Sequence, residues 1–163
     1  MLTEADRIRN LLGRYCDLMD AGDFEGIGAL FVSAALAAGD GPPFAEGPDE
    51  IERFYASGTQ LHGGSPRTKH LVSNIVIDEP DADGVVVARS SYLVLQAADG
   101  LALQPIITGR YVDRFEGGAG GWHFIERRFH VDLLGDLSHH LVDPSIAGGT
   151  TSSTGAGGES SEA

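Results

Sequence analysis

Three acids crowd the stretch "RYCDLMDAGDF": Asp17, Asp20 and Asp23. A carboxylate does proton chemistry only where it meets an interior, because burial and a partner set its charge. Successive helical residues turn by about 100°. On that wheel Ile8, Leu11, Leu12, Tyr15 and Met19 cluster within about 100° of arc. Asp17 falls roughly opposite and reads as a solvated charge. Asp23 follows Gly22 and suits the cap of a following helix. Asp20 falls at the border of the apolar stripe, so it alone of the three can approach the interior. The plainer reading is that it ends the helix at the rim.

A second stretch, "PRTKHLVSN", carries a histidine. Strand alternation puts Thr68, His70, Val72 and Asn74 on one face, and Lys69, Leu71, Ser73 and Ile75 on the other. A strand histidine is usually a satisfied core or rim residue. Yet His70 and Asn74 are two polar groups that a dry face would not carry without partners. A carboxylate beside an imidazole is a workable acid–base pair: it orients the ring and favours its protonated form, while burial opposes that charge. Such a pair suits loss of a proton alpha to a carbonyl, with loss of water or a double-bond shift. It calls for no metal or organic cofactor.

Helices come first among the elements that must position these groups. Thr3 suits an N-cap, with Asp6 in the first turn where Glu or Gln is more usual. Ile8 to Met19 recur at helical spacing, and Gly22 ends the run. "FEGIGALF" reads as a second short helix, "GPPFAEGPDE" as loop, and "PDEIERFYASG" as a third helix with Ile51, Phe54 and Tyr55 on one face. Four β-rich runs follow: "TKHLVSNIVID", "VVVARSSYLVLQ", "LALQPIITGRYVDRF" and "WHFIERRFHVDLL". Asp-Gly and Gly-Gly turns between them argue for consecutive antiparallel hairpins. Pro105 predicts an edge or a bulge in the third run. Helices followed by long antiparallel strands is the α+β pattern. Residues 1–143 are expected to form one domain, and the Gly/Ser/Thr-rich residues 144–163 a disordered tail.

The formal net charge of −13 repels nucleic acid and anionic membranes, so neither is an expected partner. No apolar run reaches the roughly 18–20 residues of a membrane span. "MLTEADRIRN" lacks the basic-then-apolar pattern of a secretory signal, so a cytoplasmic location is expected. A single cysteine, Cys16, excludes an internal disulfide. "SHH" at Ser138–His140 puts its two imidazoles on different sides of the backbone, and no metal site is expected. "GGAGG" at 117–121 reads as a hairpin tip, and Ser90 and Ser91 lack a nucleophile-elbow setting. Asp113 with Arg127 or Arg128 reads as a structural ion pair, and Tyr111, Trp122 and Phe124 as core.

The order "RYCDLMDAGDFEGIGALF", "RTKHLVSNIVID", "GRYVDRF" and "WHFIERRFHVDL" resembles the SnoaL-like branch of the nuclear transport factor 2-like superfamily, over roughly residues 3–141. That branch includes scytalone dehydratase and bile-acid dehydratases. The resemblance implies a cone-shaped α+β barrel, with three N-terminal helices packed in a strongly curved, mainly antiparallel sheet around an apolar pocket, and a homodimer. Asp20 in "MDAGDF" matches the Asp that ends the first helix of scytalone dehydratase and pairs there with a pocket histidine. His70 in "TKH" matches a histidine that follows a Thr-x spacing in that enzyme. Tyr15 matches a tyrosine of the bile-acid dehydratase pattern. The chain also departs from scytalone dehydratase. Met19 stands where its tyrosine precedes the Asp, and Leu95 and Gln96 stand where its next strand carries a histidine. The implied catalytic set is Tyr15, Asp20 and His70, in a pocket lined by Met19, Phe31, Phe54, Tyr55, Asn74 and Tyr92.

Three classes of function stay open on this reading. One is a cofactor-independent dehydratase or isomerase acting on a small cyclic or polycyclic molecule. Another is a non-catalytic small-molecule-binding or accessory protein. The last is a structural subunit resembling the small subunit of ring-hydroxylating dioxygenases.

Overall fold

The computed structural model describes residues 1–118 and 120–144. Apart from Pro144, the expected tail lies outside them. The first helix, α1 (Glu4–Ala21), opens on a reciprocal box. Asp6 N–H donates to Thr3 Oγ1 at 3.2 Å and Thr3 N–H donates to Asp6 Oδ2 at 3.0 Å. Asp at this position therefore does what Glu or Gln does elsewhere. Gly22, at φ 73°, caps the other end in the left-handed conformation that favours glycine. Asp23 caps α2 (Phe24–Leu30) by accepting from Gly26 N–H at 2.8 Å. The third helix, α3, spans Gly47–Gly58.

Between α2 and α3 lie two strands, β1 (Ala35–Ala38) and β2 (Pro43–Glu46), where the sequence reads partly as loop. Each has four residues, too few for a periodic signal. Their pairing is tertiary, since β1 runs parallel to the last strand, with Ala35 opposite Glu126 and Ala38 opposite Phe129.

The four long strands are β3 (Thr68–Ile77), β4 (Val86–Ala98), β5 (Leu101–Gly118) and β6 (Gly121–Leu134). They form successive antiparallel hairpins, and the six-stranded sheet has the order β2-β1-β6-β5-β4-β3. Three helices on one curved, mixed sheet make the cone-shaped α+β fold. Bulges interrupt the register near Asn74, Pro105, Gly109 and Phe115. Each adds local twist, and together they bend the long strands over the helices. Pro105 therefore sits at a bulge of an internal strand.

Gly109 is needed where β5 bends. A Cβ there would lie 2.0 Å from His130 O and 2.7 Å from Tyr92 Oη. Its missing side chain is the space Tyr92 uses to lie along the inner face. The core joins Ile8, Leu12, Tyr15 and Met19 of α1 to Phe31, Leu36, Tyr111, Phe115 and Phe124. Among the described residues, no helix is long and apolar enough to cross a membrane.

One bulge corrects the alternation read for β3. Asn74 sits at φ 51°, and the register slips between Ser73 and Val76. The extra residue moves Asn74 to the exposed side and turns Ile75 and Ile77 towards the core. A one-residue slip exchanges the two faces of a strand, and it does so here.

Candidate functional site

Asp20 sits in the last turn of α1, and β3 runs past it. Four donors converge on its carboxylate. Thr68 Oγ1 donates to Oδ1 at 3.0 Å. His70 N–H donates to both oxygens at 3.1 Å. His70 Nδ1 lies 2.6 Å from Oδ1. Lys69 Nζ reaches Oδ2 at 3.3 Å from the exposed side. The geometry follows from the strand period: Thr68 and His70 share the inward face, while the backbone amide of His70 points at the helix end.

A carboxylate only accepts, so His70 Nδ1 carries its proton towards Asp20 and the lone pair falls on Nε2. Among the described residues, no hydrogen bond engages Nε2. Burial works against the Asp20 charge. The hydrogen bond and charge of His70, its backbone N–H and the Thr68 hydroxyl outweigh burial and hold the carboxyl below its ordinary range. The result is an ionised carboxylate, mostly shielded from solvent, fixing one tautomer of a buried imidazole.

Tyr15 is the hinge between this pair and the core. Its ring meets the His70 ring edge-on, with centroids 6.4 Å apart. Its hydroxyl lies 3.0 Å from the Tyr55 hydroxyl. Burial raises the phenol pKa of both residues, against the nearby Arg127 charge, so both stay protonated. One donates to the other, and the second O–H remains to offer to another group.

Behind Tyr15 the interior is filled. The Arg127 guanidinium lies between the Tyr15 and Tyr111 rings, 4.0 Å from each centroid. Asp113, directly opposite it on β5, accepts from Nε at 2.7 Å and Nη2 at 2.8 Å. Burial works against the Arg127 charge, but the Asp113 carboxylate holds the guanidinium charged well above its usual range. This is the expected structural ion pair, formed with Arg127. Arg128 instead binds the carbonyls of Gly39 and Gly41.

The expected lining residues divide. Phe31 meets Tyr15 edge-on, and Tyr55 bonds to it. Met19 is buried in the core. Tyr92 stacks on Tyr111 at 4.3 Å. Phe54 lies at the surface against Phe44 and Tyr55. Asn74 is exposed at its bulge and reaches only towards Ser91. Thr68, Gln96 and His140 join the Asp20–His70 end without having been singled out for it. Thr68 was legible as the inward neighbour of His70 on the same strand. His140 was not, because nothing local says which of two adjacent histidines turns inward. A separate hollow of about 580 Å³, lined by Glu4, Arg7, Trp122 and glycines of the β5–β6 turn, lies away from this pair. Among the described residues, no cluster of His, Cys, Asp and Glu could hold a metal ion.

The sequence profile of the SnoaL-like domain matches residues 1–128. No curated relative matches the chain by sequence. Among solved structures, the chain is similar to Rv3472 of Mycobacterium tuberculosis, a protein of unknown function captured as an aspartate-to-asparagine variant. The identity is 25%, with 80% of this chain and 77% of that one covered and a TM-score of 0.64. It is also similar to a candidate scytalone dehydratase of Novosphingobium aromaticivorans, at 22% identity, 82% and 87% coverage and a TM-score of 0.63. The β subunit of a candidate aromatic-ring-hydroxylating dioxygenase from the same organism shares the fold at 22% identity, 78% and 88% coverage and a TM-score of 0.60.

Proposed function

Since the chain belongs to the SnoaL-like domain family, we propose that it is a cofactor-independent dehydratase or isomerase of a small cyclic or polycyclic molecule, working in the cytoplasm. The observation that carries this reading is the 2.6 Å contact of His70 Nδ1 with Asp20. It leaves Nε2 as a base whose charged form is already provided for. His70 Nε2 takes a proton from the carbon alpha to a carbonyl. The electron pair forms the new double bond. In a dehydration the β-hydroxyl leaves with the proton returned by His70, and the product is water. In an isomerisation the same proton returns to another carbon of the ring system. Asp20 stabilises the imidazolium between the two transfers. The free O–H of the Tyr15–Tyr55 pair is suited to polarise the carbonyl.

The test uses cyclic β-hydroxyketones, following enone absorbance and deuterium uptake at the alpha carbon. His70→Gln should abolish both. Uptake equal to wild type in that variant would end the acid–base reading.

A second reading, a binding or subunit role without chemistry, is favoured by one observation. Arg127 and the rings around it fill the interior beside Tyr15, as a packed scaffold requires. A chain that is stable only with a larger partner, and inert towards every ketone, would favour it.

A further inference from the structure

Residues 135–142 return from the end of β6 across the Asp20–His70 end, outside the helices and strands described above. The chain turns off β6 at Gly135, whose N–H donates to Ile106 O at 2.8 Å. Farther along, the ties run mostly to backbone carbonyls. Gln60 N–H donates to His140 O at 2.8 Å, and Val142 N–H donates to Gly58 O at 3.0 Å. Gln60 Nε2 donates to Ser138 O at 2.9 Å and to Leu141 O at 2.6 Å. Gln96 Nε2 and His62 Nε2–H both donate to His139 O, at 2.9 Å and 2.7 Å. None of these bonds belongs to the pairing of the six-stranded sheet, so the segment can leave without parting two strands.

Two side chains of the segment are buried, Leu137 and His140. Leu137 is apolar and suits the core. His140 is 9% exposed, and its Nδ1 has no hydrogen-bond partner among the described residues. The charges whose fields reach this ring are those of His70 from β3 and His62 from the stretch after α3. Both are bases, so neither offsets a cation there. Gln96, from β4, is neutral. Asp20 of α1 is engaged by His70, Thr68 and Lys69. Asp136 and Asp143, on the same stretch of chain as His140, lie on the exposed side. A second proton on the ring, at whichever nitrogen, therefore puts an unbalanced cation into a sealed place. Burial, then the fields of His70 and His62, push the pKa down to about 4. In water an imidazole takes that proton near pH 6.5.

We propose that residues 135–142 are a histidine latch, seated over the Asp20–His70 end while His140 is neutral and lifting as a unit when His140 takes a proton, which opens the way to His70. The proposal rests on the reading of His70 as the base, and it adds what controls access to it. In the seated arrangement the His70 side chain is 5% exposed, too closed for a carbon acid to reach Nε2. Once the segment lifts, the His140 ring meets water and charges at its ordinary pH. The pKa is depressed only in the seated form, so that form loses ground as pH falls from about 6.5 towards 4. Between pH 7 and pH 5 the ratio of lifted to seated chains rises about twentyfold.

The experiment follows amide hydrogen exchange of the full chain at pH 7 and pH 5, with rates corrected for the intrinsic effect of pH. Protection at Gln60 and Val142, the two amides that tie the segment across, should fall about twentyfold at pH 5. Tyr92 and Tyr111, inside the sheet, should keep theirs. His140→Phe and His140→Leu remove the proton site and leave the backbone ties, so protection should be the same at both pH values. Unchanged wild-type protection at Gln60 and Val142, an equal fall at Tyr92 and Tyr111, or a fall that persists in both variants would overturn the latch. Access to His70 is read separately. Thr59 and Leu141 face each other as an antiparallel bridge, so Thr59→Cys with Leu141→Cys can pin the segment through a disulfide. Diethyl pyrocarbonate at pH 6 should label His70 about tenfold more slowly in the oxidised pin than in wild type, measured by peptide mass. Equal labelling would refute the gating of His70. Labelling that follows the latch, with cyclic β-hydroxyketones left unchanged, would sink the acid–base reading and leave the latch standing. Turnover lost in His70→Gln, with exchange of the segment independent of pH, would do the reverse.

Discussion

Asp20→Asn changes one atom and separates charge from shape. Asparagine can place its oxygen where Oδ1 stands. There it still accepts from the Thr68 hydroxyl, the His70 amide and His70 Nδ1. Its NH2 then takes the place of Oδ2, where the remaining partners are Lys69 Nζ, which is exposed, and the shared amide of His70. Three charge-assisted bonds become neutral ones, at a loss of about 1 kcal/mol each. Burying an amide in place of a carboxylate returns about 1–2 kcal/mol of desolvation. The net destabilisation is therefore about 1–2 kcal/mol, or a fall in Tm of about 3–6 °C for a chain of this size. Turnover should fall far more, by about 10²–10⁴-fold, because no carboxylate remains to stabilise the His70 imidazolium. The pair of measurements is thermal unfolding and enone formation from a cyclic β-hydroxyketone. Asp17→Asn, on the exposed side of α1, is the control and should alter neither. A variant that keeps wild-type turnover would refute the dyad. A variant that unfolds outright would refute the claim that charge and shape separate here.

Acid should act on the same pair in a defined direction. The folded pKa of Asp20 lies below its ordinary value, so its stabilising contribution is complete above about pH 4 and is lost as pH falls through the folded pKa. The stability gap between wild type and Asp20→Asn should narrow over that acid range in urea titrations. His140 acts at higher pH. With its pKa lowered to about 4, the folded chain loses stability as pH falls from about 6.5 to that value, on the order of 2–3 kcal/mol in all, and His140→Phe should flatten that slope. Asp113→Asn leaves the buried Arg127 charge short of its partner and should cost about 3–5 kcal/mol in chemical unfolding, against less than 1 kcal/mol expected of a surface pair. The family resemblance leads us to predict a homodimer through the outer sheet face, where Leu71, Leu93, Thr108 and Leu133 stand in one row across four strands. Sedimentation should show dimer at micromolar concentration for wild type and monomer for Leu133→Glu, and monomer for wild type would refute it.

Local signals in the chain were enough for the long elements. Thr3, Gly22 and Asp23 mark helix ends by chemistry that acts within a few residues, and the structure has caps at all three. The helical wheel separated Asp20 from Asp17, and Asp20 lies against β3 while Asp17 is exposed. Register across a hairpin is likewise short-range, so an ion pair of Asp113 with Arg127 or Arg128 could be anticipated from the strands and their turn, while the choice of Arg127 depends on the bulge between Arg114 and Phe115. Other features needed the whole molecule. The short strands β1 and β2 exist because β6 offers an edge from far along the chain. The bulge at Asn74 is a register choice made against β4, and it reversed the two faces beyond it. Arg127 became the centre of an aromatic stack only when three elements met around it. His140 turned inward only because glutamines of a strand and a helix end hold the carbonyls beside it. Helical and strand periods report which face a residue takes within its own element. Which distant groups share that interior depends on how the elements pack, and no local period carries that information.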